Sequence, residues 1–270
     1  MLRSHAFEDS TAAAPGRARL VARRVGGRTE LAVAKASSPI RFVRPTFPGA
    51  HAAAVCVVTL GAGLVDGDAI ALDVEVERGA TLVLFTQAST KVFRGRASQA
   101  IRADVRGTLI ALPDPVAPFA GAAYEQRVDV SLHGDEAACV VLDGVTSGRP
   151  AYGDRWAFER VDLRTVVRRD GREIVRDALR LDARDGSIAR RMDRFEALAT
   201  LVAVGAPAIA ADIAGSDEVS RTLAVAATVR DPLAIARIAA TSPETALAAA
   251  RRRLRNLPEM GVVDPFGSRP

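Results

Sequence analysis

Residues 70–77 read IALDVEVE. Ile70, Leu72, Val74 and Val76 alternate with Ala71, Asp73, Glu75 and Glu77. A period of two sends one row into a core and the other into water, which a strand can do and a helix cannot. Arg78-Gly79 then turns the chain into TLVLFT (81–86). The unit recurs: IRADV, Arg106-Gly107, TLIAL; RVDVSL, His133-Gly134, CVVLDGV; FERVDLRTVV, Asp170-Gly171, REIVRDALRL. Short strands punctuated by glycine turns predict an antiparallel, mainly β domain, expected as a large antiparallel or β-helical-like two-layer sheet body with a few α-helices towards the C-terminus. No strand–helix–strand rhythm interrupts residues 20–200, so a doubly wound nucleotide fold is disfavoured.

Helix is expected late. In SPETALAAARRRLRN (242–256), Ser242 is placed to cap, Pro243 stands at the first helical position and arginines fill the last turns. DPLAIARIAA (231–240) is read as a second, shorter helix. The expected organisation is a flexible leader over 1–18, a single β domain over 19–257 and a tail over 258–270. For 270 residues one large core suffices.

The formal net charge is +5, but arginines mix with acids, as in DRWAFERVDLRTVVRRDGREIVRD (154–177), and aromatics are 4%. A solvated mixed-charge surface follows, not a nucleic-acid platform. No stretch approaches the roughly 20 apolar residues of a membrane span, and MLRSHAFEDS lacks an apolar signal region. Cys56 and Cys139 sit in apolar runs and read as small buried hydrophobes. The expected compartment is cytoplasmic.

Catalytic chemistry is hard to find. His5, His51 and His133 are far apart, so no tight metal cage is expected. No nucleophile elbow or P-loop is present, and GAGLVDGD (61–68) precedes a strand instead of opening a helix. Carboxylates recur at strand ends: Asp66, Asp68, Asp114, Asp143 and Asp154. Turn-forming and capping account for any one of them. Of 37 basic residues only Lys35 and Lys91 are lysines. A compact ammonium fits sites that a planar guanidinium does not.

Three ordered blocks carry a family resemblance. LGAGLVDGDAIALDVEVERGATLVLFTQASTKVFRG (60–95) resembles the hallmark stretch of the urease accessory protein family UreD, also called UreH. LPDPVAPFAGAAYEQRVDVSL (112–132) and LDGVTSGRPAYGDRWAF (142–158) are similar to its next two blocks. The motif positions are Gly63, Gly67, Thr90, Lys91, Arg94, Pro113, Pro115, Phe119, Gly121, Arg149 and Gly153. Gly144 stands where the family usually has Trp, and Asp154 where it has Glu.

The resemblance implies a non-enzymatic maturation role: a mostly β scaffold that binds UreF and apo-urease, with the GTPase UreG reached through UreF. Nickel would pass through an internal, water-filled route. No cofactor is expected to bind tightly, and Ni2+ is transient cargo. Clustered His and Cys would hold nickel too firmly to release it. Asp68, Asp114, Asp143 and Asp154 are therefore expected to supply weak, hydrated stations. A cation in such a passage would repel nickel, so Lys91 is expected instead to neutralise a strand-end carboxylate or cap backbone carbonyls, and Lys91→Met to destabilise the fold. Arg149 is expected to organise the 143–154 turn. The late helix could dock on UreF or cover its own sheet. The competing readings are a β-rich hydrolase using Asp143 and Asp154, and a basic nucleic-acid binder.

Overall fold

The computed structural model describes residues 16–45 and 51–262. Its strands are β1 (Gly16–Val25), β2 (Arg28–Ala36), β3 (Ile40–Val43), β4 (Ala53–Thr59), β5 (Ala69–Val76), β6 (Thr81–Thr86), β7 (Lys91–Val92), β8 (Gly95–Val105) and β9 (Thr108–Leu112). They continue as β10 (Ala117–Pro118), β11 (Ala122–Leu132), β12 (Ala138–Thr146), β13 (Arg160–Arg169), β14 (Arg172–Asp182), β15 (Ala197–Val204), β16 (Glu218–Val219), β17 (Leu223–Arg230) and β18 (Leu233–Ala240). The α-helices are α1 (Ile188–Met192), α2 (Pro207–Ile213) and α3 (Pro243–Arg252).

Two sheets stack. One has seven strands in the order β14-β13-β11-β8-β5-β1-β2, and the other nine, β16-β17-β18-β15-β12-β9-β6-β4-β3. The turns at Arg78-Gly79, Arg106-Gly107 and His133-Gly134 each pass the chain from one layer to the other, whereas Asp170-Gly171 joins β13 to β14 within one layer. β5, β8, β11 and β13 are therefore parallel neighbours in one layer, and β4, β6, β9 and β12 in the other. This is the two-layer, β-helical body. The expected antiparallel pairing is found, among the described residues, at the flanks, as at β1–β2, β13–β14 and β12–β15–β18–β17. Alternation looks the same in both arrangements; what differs is where the turn's backbone bonds go. At the 77–80 corner Ala80 N–H donates to Glu77 O, while Glu77 N–H reaches Ala22 O and Thr108 N–H reaches Ala80 O in neighbouring coils.

β12 is buried along its whole length and divides two cores. Cys139, Val141 and Val145 face the seven-stranded sheet beside Leu72, Val130 and Leu163. Val140 and Leu142 face the other way, in a second core with Leu201, Ala246, Ala249, Leu254 and Leu257. A fully buried leucine side chain of this kind contributes about 2 kcal/mol. The apolar surroundings push the Cys139 thiol up to about 12.

α3 forms where expected, with Ser242 Oγ accepting from Thr245 N–H at 3.1 Å. It lies on the outer face of β15 and β18 and covers the chain's own sheet. The short helix expected over 231–240 is strand β18 instead. It pairs with β15 on one side and β17 on the other, so both its rows are useful: Ala234, Ala236 and Ile238 go under the helices, and Ile235 into the inner core. Helix propensity loses to that double pairing. α2 was not anticipated; Pro207 in its first turn is the local signal.

The expected leader lies outside the described residues up to 15, and Gly16, Arg17 and Ala18 belong to β1. The start of the expected tail is packed, since Leu257 and Val262 are buried around a 3-10 turn, Leu257–Met260; residues 263–270 lie outside the described set. No helix among the described residues is long and apolar enough to cross a membrane.

Candidate functional site

The three motif blocks, far apart in sequence, meet at one end of the sandwich. Leu64 N–H donates to Lys91 O, and Phe93 N–H to Leu64 O, both at 2.8 Å. Gly63, at φ +144°, permits this: a Cβ there would lie 2.5 Å from Lys91 O. Gly67 N–H donates to Arg96 O, Ala117 N–H to Thr90 O, and Gly121 N–H to Ala157 O. Phe93 and Phe119 meet edge to face at 5.2 Å, and the Arg149 guanidinium stacks on Phe119 at 4.1 Å. Arg149 also binds Asp154 through two nitrogens, and its carbonyl accepts from Tyr152 and Asp154 N–H. Gly153 closes the turn on Pro150 O. Arg149 thus ties its loop together through its side chain and its carbonyl. Arg94 is exposed beside Gly121, while Pro113 and Pro115 flank the buried Asp114.

Lys91 departs from expectation. Its ammonium is exposed, beside the 61–63 and 86–90 turns. What holds this stretch is backbone pairing through Leu64, Phe93 and Ala117, so the lysine side chain is not the clamp.

The four aspartates have different surroundings. Asp68 accepts from Val65 N–H at 2.7 Å and closes its turn, on the rim of a cavity of about 720 Å³. Asp114 is buried, and its N–H donates to Thr86 Oγ1 at 2.9 Å. Asp154 is taken up by Arg149. Asp143 lies on the inner row of β12 and lines the space between the sheets. Asp143 and Asp154 are therefore not a pair facing across an open cleft, and the hydrolase arrangement falls with them. Among the described residues no three His, Cys, Asp or Glu side chains group as a metal cage.

Around Asp143 the inner core turns polar. Tyr124 Oη donates to Gln126 Oε1 at 2.8 Å, and Gln126 Nε2 to Asp143 Oδ1 at 2.7 Å. Gly144 N–H donates to the same oxygen at 2.7 Å. The Thr165 hydroxyl is buried beside the carboxylate and favours its charged form slightly. Next comes Asp177, paired with Arg237 at 2.5 Å. Asp143, Thr165, Asp177 and Arg237 line a cavity of about 400 Å³ that opens between β14 and β17–β18. Tyr124, at the other end of the row, also lines the larger cavity that holds Asp68. Burial raises the Asp143 carboxyl to about 7, against the hydrogen bond from Gly144, and the charge of Asp177 raises it further. Desolvation also lifts the Tyr124 hydroxyl well above its usual range, with Asp143 adding to it.

Tyr124, Gln126, Thr165, Asp177 and Arg237 escaped the sequence reading, yet a signal was there. Each occupies an inward register position: Gln126 between Tyr124 and Val128, Thr165 between Leu163 and Val167, Asp177 between Val175 and Leu179. A polar side chain in an apolar row is the informative departure.

The family model for the UreD urease accessory protein matches residues 14–261. The chain belongs to that family. The urease accessory protein UreD of Sorangium cellulosum is 44% identical over 93% of this chain and 83% of its own length. That of Anaeromyxobacter is 38% identical over 94% and 90%. Urease accessory protein D of Arabidopsis thaliana is 32% identical over 70% and 67%. UreD membership sharpens one departure noted in the sequence. At Gly144 a Cβ would lie 2.6 Å from Leu198 O, so β15 approaches here too closely for a larger side chain.

Proposed function

We propose that the chain serves urease maturation as a non-catalytic scaffold. It joins UreF and apo-urease, with UreG bound through UreF, and hands nickel on through its interior in the cytoplasm. The observation that carries this reading is the buried carboxylate of Asp143, set in a row of hydrogen-bonding side chains that ends at an open cavity. Oxygen groups hold a hydrated divalent ion loosely, whereas thiolate and imidazole clusters would retain nickel. Asp143 carries the largest share of the transfer. Asp68 and Asp154, occupied by Val65 N–H and Arg149, shape their turns, and Asp114 steadies the 112–116 loop against Thr86.

The test is co-expression of Asp68→Ala, Asp114→Ala, Asp143→Ala and Asp154→Ala chains with urease and its other accessory genes, followed by nickel analysis of purified urease. Asp143→Ala is expected to lower nickel per urease severalfold with the fold intact. Normal nickel loading by all four variants would reject the proposal.

A further inference from the structure

We propose that the open side of the sandwich is a docking groove for an extended, acidic segment of a partner protein, which adds to the edge of β14 as a new strand. The choice of complex used to test it rests on the maturation role above.

The two layers do not match. Among the described residues the seven-stranded sheet ends at β14, which pairs there with β13 alone, while β18, β17 and β16 carry the nine-stranded sheet past it. The overhang is finished on one face only. Leu223 and Val225 are buried in the core under the helices. The other row of β17 is open: Ala224 is half-buried, and Ala226, Thr228 and Arg230 are exposed. A half-covered strand row beside a free edge is one strand short of a closed bilayer.

The slot suits a strand. β14 presents eleven residues of edge backbone, and an unpaired edge of that length pairs readily with an incoming chain. The cavity floor is cut low by Ala224, Ala226 and Ala239, and Val219 stands at its rim, 82% exposed. The Thr165 hydroxyl lines the same space, buried beside the Asp143 carboxylate. Charge selects the partner. The Arg237 side chain is 55% exposed above Asp177, which is 14% exposed, so an arriving segment meets the guanidinium first. Arg176 and Arg180 stand about half exposed along the outer row of β14. Glu173 and Asp185, partly exposed, already pair with these two, so the acid-selecting cation at the groove is Arg237, which an acidic side chain of the segment can share without displacing Asp177 beneath.

Hydrogen exchange tests this on the full chain, alone and in the complex isolated from cells that also express urease and its accessory genes. In the complex, amides of residues 172–182 are expected to exchange at least tenfold more slowly, and cross-linking from position 178 to give an acidic, extended peptide. Val219→Glu and Arg237→Glu should each lower recovery of the complex at least tenfold. Arg28→Glu, on the opposite edge strand β2, should not lower it. Unchanged β14 exchange in the complex would overturn the proposal, as would a cross-linked helix. So would slow β14 exchange in the chain alone, which would mean its own ends fill the groove, or slowing that grows with chain concentration, which would mean a second copy does. Nickel content separates the two proposals. If the groove variants assemble normally while Asp143→Ala starves urease of nickel, docking fails and the maturation role stands; the reverse pattern fails the route and keeps the groove.

Discussion

Asp143 concentrates the physical tension of this chain. Its folded pKa, about 7, lies above the ordinary carboxyl value of 3.8. Between about pH 4 and 7 the folded chain therefore keeps a proton that the unfolded chain has released, and stability falls as pH rises through that window. Asp143→Asn keeps an acceptor for Gln126 and Gly144 N–H and removes the buried charge. It is expected to match the parent near pH 4 and to exceed it at pH 8, by about 4 kcal/mol as an upper bound, in denaturant titrations at both pH values. An equal gap at the two pH values would show that the carboxyl titrates normally. Lys91 is the opposite case. Its side chain is exposed, so Lys91→Met should move stability by no more than about 0.5 kcal/mol, measured by thermal unfolding. Arg149 lies between them, stacked on Phe119 and bound to Asp154. A double-mutant cycle of Arg149→Ala and Asp154→Ala should return a coupling of about 1 kcal/mol, and a value near zero would mean solvent screens the pair.

Helix α3 shows how one element is decided by what lies beneath it. Its capping residues set where it starts, but Ala246, Ala249 and Ala250 set where it rests, close against β15 and β18. The following turn adds Leu254 and Leu257, both nearly fully buried. Leu254→Ala should cost about 2–5 kcal/mol in equilibrium unfolding. Removing residues 242–270 should yield insoluble chain, because it strips the outer face of the nine-stranded sheet. Soluble, folded truncated chain would show that α3 is an add-on available to a partner. β18 carries the complementary lesson. Its Ala- and Ile-rich run is legible as apolar and short, but local preference does not say that β15 and β17 wait on either side.

In the molecule as a unit, most strand neighbours are a full coil apart, as when Ile70 lies beside Gln99, and Gln126 beside Gln99 in turn. Loop closure must precede such pairing, so refolding after dilution from denaturant should take roughly milliseconds to seconds or longer. Microsecond refolding would imply a structure dominated by local contacts. The outer face of the seven-stranded sheet carries ion pairs such as Arg19–Glu75, Arg23–Glu77 and Arg168–Asp129. These are well exposed and screened, so they contribute little to stability and mainly keep the parallel strands wettable on that side.

Alternation along IALDVEVE and its repeats already made this a layered β protein, because a period of two is a property of the strand alone. The motif blocks likewise carried the family, since turn glycines and prolines answer to local backbone geometry. Which layer each strand joins, and that Asp143 comes to lie beside Gln126 and Thr165, depended on register between distant segments. No stretch of chain encodes its neighbour across the core; that pairing exists once the two sheets close over one another and bury it.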